Sequence, residues 1–134
     1  AHLDYDRWLG PVPYVPYQSN FLPGVWRWWH HFGCGDIGND GVHDIDIARW
    51  GLGVETLPSR VAALGGKSYF DDDQQHADTQ TVVYEYAHAT QAGRPKQLIF
   101  EQRIWSPYVQ EGFEKGNAWY GTEGLLILGK KGGY

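Results

Sequence analysis

The sequence is poor in cysteine and in basic residues. Cys34 is the one cysteine among 134 residues, which excludes an intrachain disulfide framework. We expect it to be a small buried side chain, with a catalytic thiol as the alternative. Lys and Arg total 11 against 16 Asp and Glu, so the formal net charge is −5. A surface of this sign argues against a nucleic-acid partner.

Long apolar runs are missing as well. No stretch approaches the ~20 residues that a transmembrane helix needs, so we expect no membrane partner. The first residues do not have the pattern of a signal peptide. A cytoplasmic location is the expectation, and secretion stays open because the chain begins at Ala1 and its N-terminus could be missing.

Aromatic residues, in contrast, are abundant at 16%, with seven Trp and nine Tyr. Such a content indicates either extensive burial or flat surfaces for a ligand. Residues 1–22 combine these rings with prolines that disfavour helix and central strand, which predicts an extended arm with one short helical turn at 4–10. If the next segment is extended, Trp26 and Trp28 share one face, where they either fill the core or stack on a sugar ring.

Residues 36–50 have the pattern of one amphipathic helix. Asp36 is its predicted N-cap, and Gly51 is its predicted C-terminal stop. At ~100° per residue, one apolar face is expected to be buried, formed by Ile37, Gly41, Ile45, Ala48 and Leu52. A second row of side chains, at successive helical spacings, is polar and could line a pocket. This polar row is formed by Asn39, His43, Asp46 and Trp50.

A glycine-rich stretch at 33–38 precedes this helix and satisfies G-x-G-x-x-G, the dinucleotide fingerprint. We reject a nucleotide site there, because 26–32 does not have the pattern of a buried parallel strand. Asp36 and Asp40 would also repel a pyrophosphate at the helix N-terminus. No cofactor-binding residue is therefore assigned. No metal site is assigned either, because the histidines lack an H-x-x-x-H spacing on a helix.

Beyond the helix, the sequence predicts strands joined by turns, at 60–64, 79–86, 97–105, 117–120 and 125–128. Such strands after one helix predict an α+β fold, with a largely antiparallel open sheet and the helix packed on one face. Both faces of the sheet carry apolar side chains, which predicts that the other face is an oligomer interface in a homodimer or tetramer. We divide the chain into an arm and substrate-side loop at 1–32 and a sheet domain at 33–134.

Several motifs of this chain resemble the C-terminal domain of the Gfo/Idh/MocA oxidoreductase family, in its bacterial-type branch. They cover nearly the whole chain, at 3–11, 26–29, 35–39, 41–43, 48–53 and 120–124. Full-length members of this family join the domain to an N-terminal Rossmann domain and move a hydride between NAD or NADP and a sugar or cyclitol carbon. The catalytic lysine and the cofactor fingerprint of that Rossmann domain have no counterpart in this sequence.

The resemblance implies a substrate-binding and oligomerisation domain that needs a Rossmann domain for activity. The family motif has Asp, then Gly two residues on and His four on, and Asn39, Gly41 and His43 occupy these positions here. Because Asn39 cannot take a proton, His43 is the expected base of this catalytic pair. Asp46 either orients the imidazole of His43 for catalysis or has only a structural role, as the hydrogen-bond partner of His43 inside the fold. The expected substrate-binding residues are Trp26, Trp28, Asp46 and Trp50.

Two other classes of function stay open. The chain could be a stand-alone carbohydrate-binding domain that uses Trp26, Trp28 and Trp119 as platforms, or a structural domain for assembly. If the chain is instead part of an oxidoreductase, NAD or NADP binds only in the intact enzyme, and we expect no cofactor on this chain alone.

Overall fold

The computed structural model describes residues 3–87, 94–106 and 109–133. A short helix, α1 (Tyr5–Leu9), begins the described chain. A π turn (Ile37–Gly41) leads into the main helix, α2 (Val42–Leu52). Two 3-10 turns lie between the helices, at Ser19–Phe21 and Trp26–Trp28.

The strands form two antiparallel sheets, one after the other along the chain. The first sheet contains, in spatial order, β1 (Arg60–Gly66), β2 (Thr79–Tyr86) and β3 (Lys96–Arg103). The second contains β4 (Gly116–Tyr120), β5 (Leu125–Gly129) and β6 (Gly132–Gly133). The α+β class, the antiparallel pairing and the one main helix are confirmed. Where the sequence predicts one sheet, however, β4 pairs with β5 and not with β3.

Helix α2 contacts both sheets, and this explains why the strands separate. Ala48 packs with Tyr86 and Leu98 of the first sheet in the hydrophobic core, as the predicted apolar face requires. Gly41 is also buried on that side, where a Cβ would lie 2.8 Å from the Phe100 ring. On the other side, the indole N–H of Trp119 in β4 donates to the Ala48 carbonyl at 3.1 Å. Helix α2 thus packs against a different sheet on each of two sides, whereas a single wide sheet would contact only one side of the helix.

The helix continues to Leu52 instead of ending at Trp50. Gly53, not Gly51, adopts the left-handed conformation, with φ of 63°, and its N–H donates to two carbonyls of the last turn. Gly51 lies inside the helix, and the ring of Trp119 occupies the place that a side chain at residue 51 would take. The prediction of Gly51 as the stop was therefore wrong.

The N-terminal arm folds back on its own aromatic rings. The predicted helical turn is α1, and Asp4 is its N-cap. Phe21 contacts Trp29 edge to face, with 4.6 Å between ring centroids, and Phe32 at 5.6 Å. Trp8 stacks on Phe32. These rings form a small apolar cluster that fixes the arm before the site helix begins.

Candidate functional site

The predicted polar row lies on the π turn and on α2. Asn39 belongs to the π turn and is half-buried, whereas His43, Asp46 and Trp50 are exposed. Trp50 is exposed to 78%. A π turn inserts one residue into the helical ladder and is frequent at functional sites. The row therefore faces solvent along α2, where a ligand can reach the imidazole of His43.

His43 and Asp46 are not joined to each other. Within the described residues, no hydrogen bond connects the imidazole to the carboxylate, and both side chains are exposed. The interpretation in which His43 only hydrogen-bonds Asp46 inside the fold has no support from this geometry. The imidazole is free to meet a ligand from solvent.

Three aspartates accompany the polar row at the start of the helix. Burial raises the pKa of Asp36, and the neighbouring charge of Asp40 raises it further. Burial also raises the pKa of Asp44, against the effect of Lys115. The Lys115 Nζ lies 3.4 Å from the Asp44 Oδ2 and 3.6 Å from the Asp40 Oδ2. Half-buried carboxyls next to the row thus hold their protons to a higher pH than usual.

Asp36 occupies the N-cap position of the π turn, as predicted, but its backbone is helical and its side chain makes no capping hydrogen bond. Lys115 was missed. The sequence feature that could have indicated a cation is the spacing of Asp36, Asp40 and Asp44. This spacing places three acidic side chains on one helical row, where a nearby cation reduces their mutual repulsion.

Trp26 and Trp28 lie on a 3-10 turn, so the extended segment in which they would share one face is not present. Arg27 lies between the two indoles, with its Cζ 5.9 Å from each ring centroid, and the cation is attracted to both rings. This arrangement favours the turn over a strand. Within the described residues, no ring contact or hydrogen bond joins either indole to the polar row.

The loop before β2 supports the segment that leads into the site helix. The His76 Nε2–H donates to the Gly33 carbonyl at 3.0 Å, because a carbonyl can only accept. Gln75 donates its backbone N–H to the Trp28 carbonyl at 2.9 Å and accepts from the His30 N–H at 2.8 Å. Sequence reasoning did not single out these residues, since their partners are backbone atoms.

The glycine-rich stretch lies close to other parts of the chain. Its glycines allow the chain to pack on itself, and a Cβ at three of them would lie closer than 3.0 Å to protein atoms: Gly33 to the Arg27 backbone, Gly35 to the His76 side chain, and Gly38 to the Cys34 Sγ. Close packing within the chain thus accounts for the glycines at these positions without a bound nucleotide.

Cys34 is exposed, which corrects the expectation of a buried side chain. Its Sγ lies beside Gly38, outside the core. Among the described residues, His, Cys, Asp and Glu nowhere converge in a group of three or more that could hold a metal ion. In the same part of the chain, no helix is long and apolar enough to cross a bilayer.

Trp119, the third platform considered for carbohydrate binding, packs its ring on Gly51 and belongs to the contact between β4 and α2. The N–H edge of this indole is therefore directed to the helix. Its role in the described structure is to join the second sheet to α2.

Comparison with known families agrees with the motifs of the site helix. A family model described as an oxidoreductase family, C-terminal alpha/beta domain, matches residues 1–95. The match covers more than half of the chain and includes the π turn, α2 and the first two strands. No curated protein matches the sequence significantly.

Proposed function

The chain belongs to the Gfo/Idh/MocA oxidoreductase family as a C-terminal α/β domain, and from this we propose that it binds the substrate of an NAD(P)-dependent oxidoreductase. The substrate is a sugar or a cyclitol, oxidised at a secondary hydroxyl. A nicotinamide cofactor, held by a Rossmann domain, would supply the hydride acceptor, and this chain contributes the substrate side of the site.

The exposed imidazole of His43, on the helix inside the matched region, is the observation that carries this proposal. Oxidation of an alcohol requires a base that removes the hydroxyl proton as hydride leaves, and histidine is the residue type suited to this near neutral pH. Asn39 lies one turn earlier and cannot take a proton. Its amide is suited to hydrogen-bond the same hydroxyl and orient it toward His43.

The remainder of the polar row supplies substrate contacts. Trp50, exposed to 78%, offers a flat apolar face for the C–H face of a sugar ring. Asp46, one turn before it, can accept hydrogen bonds from sugar hydroxyls. Trp26 and Trp28 stay in the proposal as contacts from the neighbouring turn, where Arg27 already fixes their rings.

We also propose that the chain assembles into a homodimer or tetramer, and the open face of the first sheet supports this second half of the proposal. Ala62, Val83 and Ile99 lie opposite one another in adjacent strands and form an apolar row on the face away from α2. Leu64, on the same face, is exposed to 82% and Ile99 to 64%. Apolar side chains that are exposed together in this way favour burial against a second copy.

A screen of sugars and cyclitols tests the enzymatic half of the proposal. The protein that joins this domain to its Rossmann domain is supplied with NAD and NADP in turn, and reduced nicotinamide is measured. We expect reduction with at least one member of the panel, and its loss in His43→Ala. No reduced nicotinamide with any member would contradict the proposal.

A further inference from the structure

The loop that connects β1 to β2 is braced from the inside by a buried carboxylate. Asp78 is 0% exposed, and its two oxygens accept the backbone N–H groups of Ser68 at 2.9 Å, Tyr69 at 2.9 Å and Phe70 at 2.8 Å. The hydroxyl of Thr79 donates to the same carboxylate at 2.7 Å. Four hydrogen bonds to one ion fix the backbone of this turn.

The braced turn presents an aromatic platform, which we define as Tyr69, Phe70 and Trp105. Tyr69 stacks on Trp105, with 4.5 Å between the ring centroids and 11° between the planes. Phe70 meets Tyr69 edge to face at 5.2 Å. The Nε1–H of Trp105 donates to the Thr79 hydroxyl oxygen at 2.8 Å, so Trp105 is fixed by the same network as the turn.

The rings of the platform are accessible. Tyr69 is exposed to 62% and Phe70 to 37%. Since Trp105 covers one face of the Tyr69 ring, the exposed area of Tyr69 is mainly its other face and its edge. The platform therefore offers a flat ring surface that is already ordered before any ligand arrives.

The chain that directly follows Phe70 is polar and acidic, and we call it the acidic rim of the platform. Lys67 closes the turn by an ion pair with Asp72, at 3.1 Å, and Asp71 and Asp73 are exposed on either side of it in sequence. Carboxylates of this kind accept hydrogen bonds from hydroxyl groups but repel phosphates. A nucleic acid is therefore an unsuitable partner because its phosphates would be repelled, although its bases would stack equally well on the rings.

We propose that the aromatic platform binds a neutral carbohydrate, with a pyranose ring stacked on the exposed face of Tyr69 and its hydroxyls bonded to the acidic rim. Three partly exposed rings present on the order of a few hundred Å². A stable protein interface needs about 800 Å² from each partner, so a small flat ligand fits this surface better than a protein does. The platform shares no residue with the polar row of α2, and this inference does not depend on the proposed oxidoreductase function.

Calorimetric titration of this chain with cellotetraose and maltotetraose, two neutral glucose tetramers with flat pyranose faces, tests the inference. We expect saturable binding of at least one of them. Tyr69→Ala should weaken it about tenfold or more, which corresponds to about 1.4 kcal/mol at 25 °C. Tyr69→Phe keeps the ring and should bind like the wild type.

Tyr14→Ala is the matched control, because Tyr14 is an exposed tyrosine, at 75%, far in sequence from the platform. It should leave the affinity unchanged. Thermal unfolding of Tyr69→Ala verifies that the turn still folds, as the variant keeps the backbone N–H that Asp78 accepts. Tyr69→Asn provides a second ring deletion if the alanine variant is unstable.

Two results would overturn the inference. One is the absence of saturable heat with both tetrasaccharides up to about 10 mM, a range that includes affinities weaker than millimolar. The other is unchanged affinity in a folded Tyr69→Ala, which would place the sugar elsewhere. In this second case, a changed oligomeric mass of Tyr69→Ala would identify the platform as a protein contact.

Discussion

The indole of Trp119 lies on Gly51, so closely that a Cβ at residue 51 would be 2.2 Å from the ring. The same indole donates its N–H to the carbonyl of Ala48, on the preceding turn of the helix, at 3.1 Å. Strand β4 and helix α2 are therefore in contact through a residue without a side chain. This contact holds the second sheet against the helix.

Gly51→Ala should destabilise the protein by about 1–3 kcal/mol, because the new methyl group forces Trp119 away from the helix. Helix propensity alone favours alanine over glycine by about 1 kcal/mol. A net decrease in the free energy of unfolding would therefore show that the steric effect is larger. Urea unfolding measures the change. Gly66→Ala is the control, since a Cβ there meets nothing within 4 Å. Equal or higher stability of Gly51→Ala would contradict the close packing.

Asp78→Asn should lower the free energy of unfolding at pH 7 by about 1–3 kcal/mol. An amide offers one acceptor oxygen where the carboxylate offers two, and its NH₂ group faces backbone donors. The exposed Asp73→Asn should change little and serves as the control. Full stability of Asp78→Asn would show that the turn does not depend on this carboxylate.

The same residue predicts a pH dependence. Burial alone would raise the pKa of Asp78, but the hydrogen bonds from Ser68, Phe70, Thr79 and Tyr69 outweigh it and hold the pKa well below its usual range. Because the folded pKa is lower than the unfolded value of about 3.9, the stabilisation is complete above that value and decreases as the pH falls below it. The stability gap between the wild type and Asp78→Asn should therefore be smaller at about pH 3 than at pH 7. An equal gap at both would contradict the charged state.

The features that the sequence predicts correctly depend on local patterns. The burial of Ala48 and the partial burial of Ile45 follow from the helical period, which is visible within two turns. The short helical turn predicted at 4–10 is α1, and the structure adds Asp4 as its N-cap and Gly10 as its C-cap. The polar row could likewise be placed on the helix, although whether it is a catalytic site is a matter for experiment.

The features that the sequence does not predict depend on distant partners. Gly51 looks like a helix stop until Trp119, far along the chain, is known to occupy its side-chain position. The division into two sheets follows from strand pairing, which β-strand patterns do not encode. Asp78 has backbone N–H groups as its main partners, and these carry no sequence signature. Such residues are found only once the chain is folded.

His43→Ala should reduce kcat/KM by about 10²–10⁴ in the protein that carries both this domain and a Rossmann domain, because the hydroxyl proton loses its acceptor. The free energy of unfolding should change by less than about 0.5 kcal/mol, since the side chain is exposed. His31→Ala, another exposed histidine, is the control for both measurements. Turnover of His43→Ala close to the wild type would assign the base to another group.

Ile99→Asp should convert an assembled form of this chain into a monomer of 15.2 kDa. Ile99 is exposed to 64% in the middle of the apolar row on the open face of the first sheet, and a charge there cannot be buried against a second copy without a large cost. Leu57→Asp changes a residue of similar type that is exposed to 84% outside the sheets, and it should leave the assembly intact. Light scattering after size exclusion at micromolar concentration measures the mass. A wild type that elutes as a 15.2 kDa species, without aggregation, would mean that the open face does not mediate assembly.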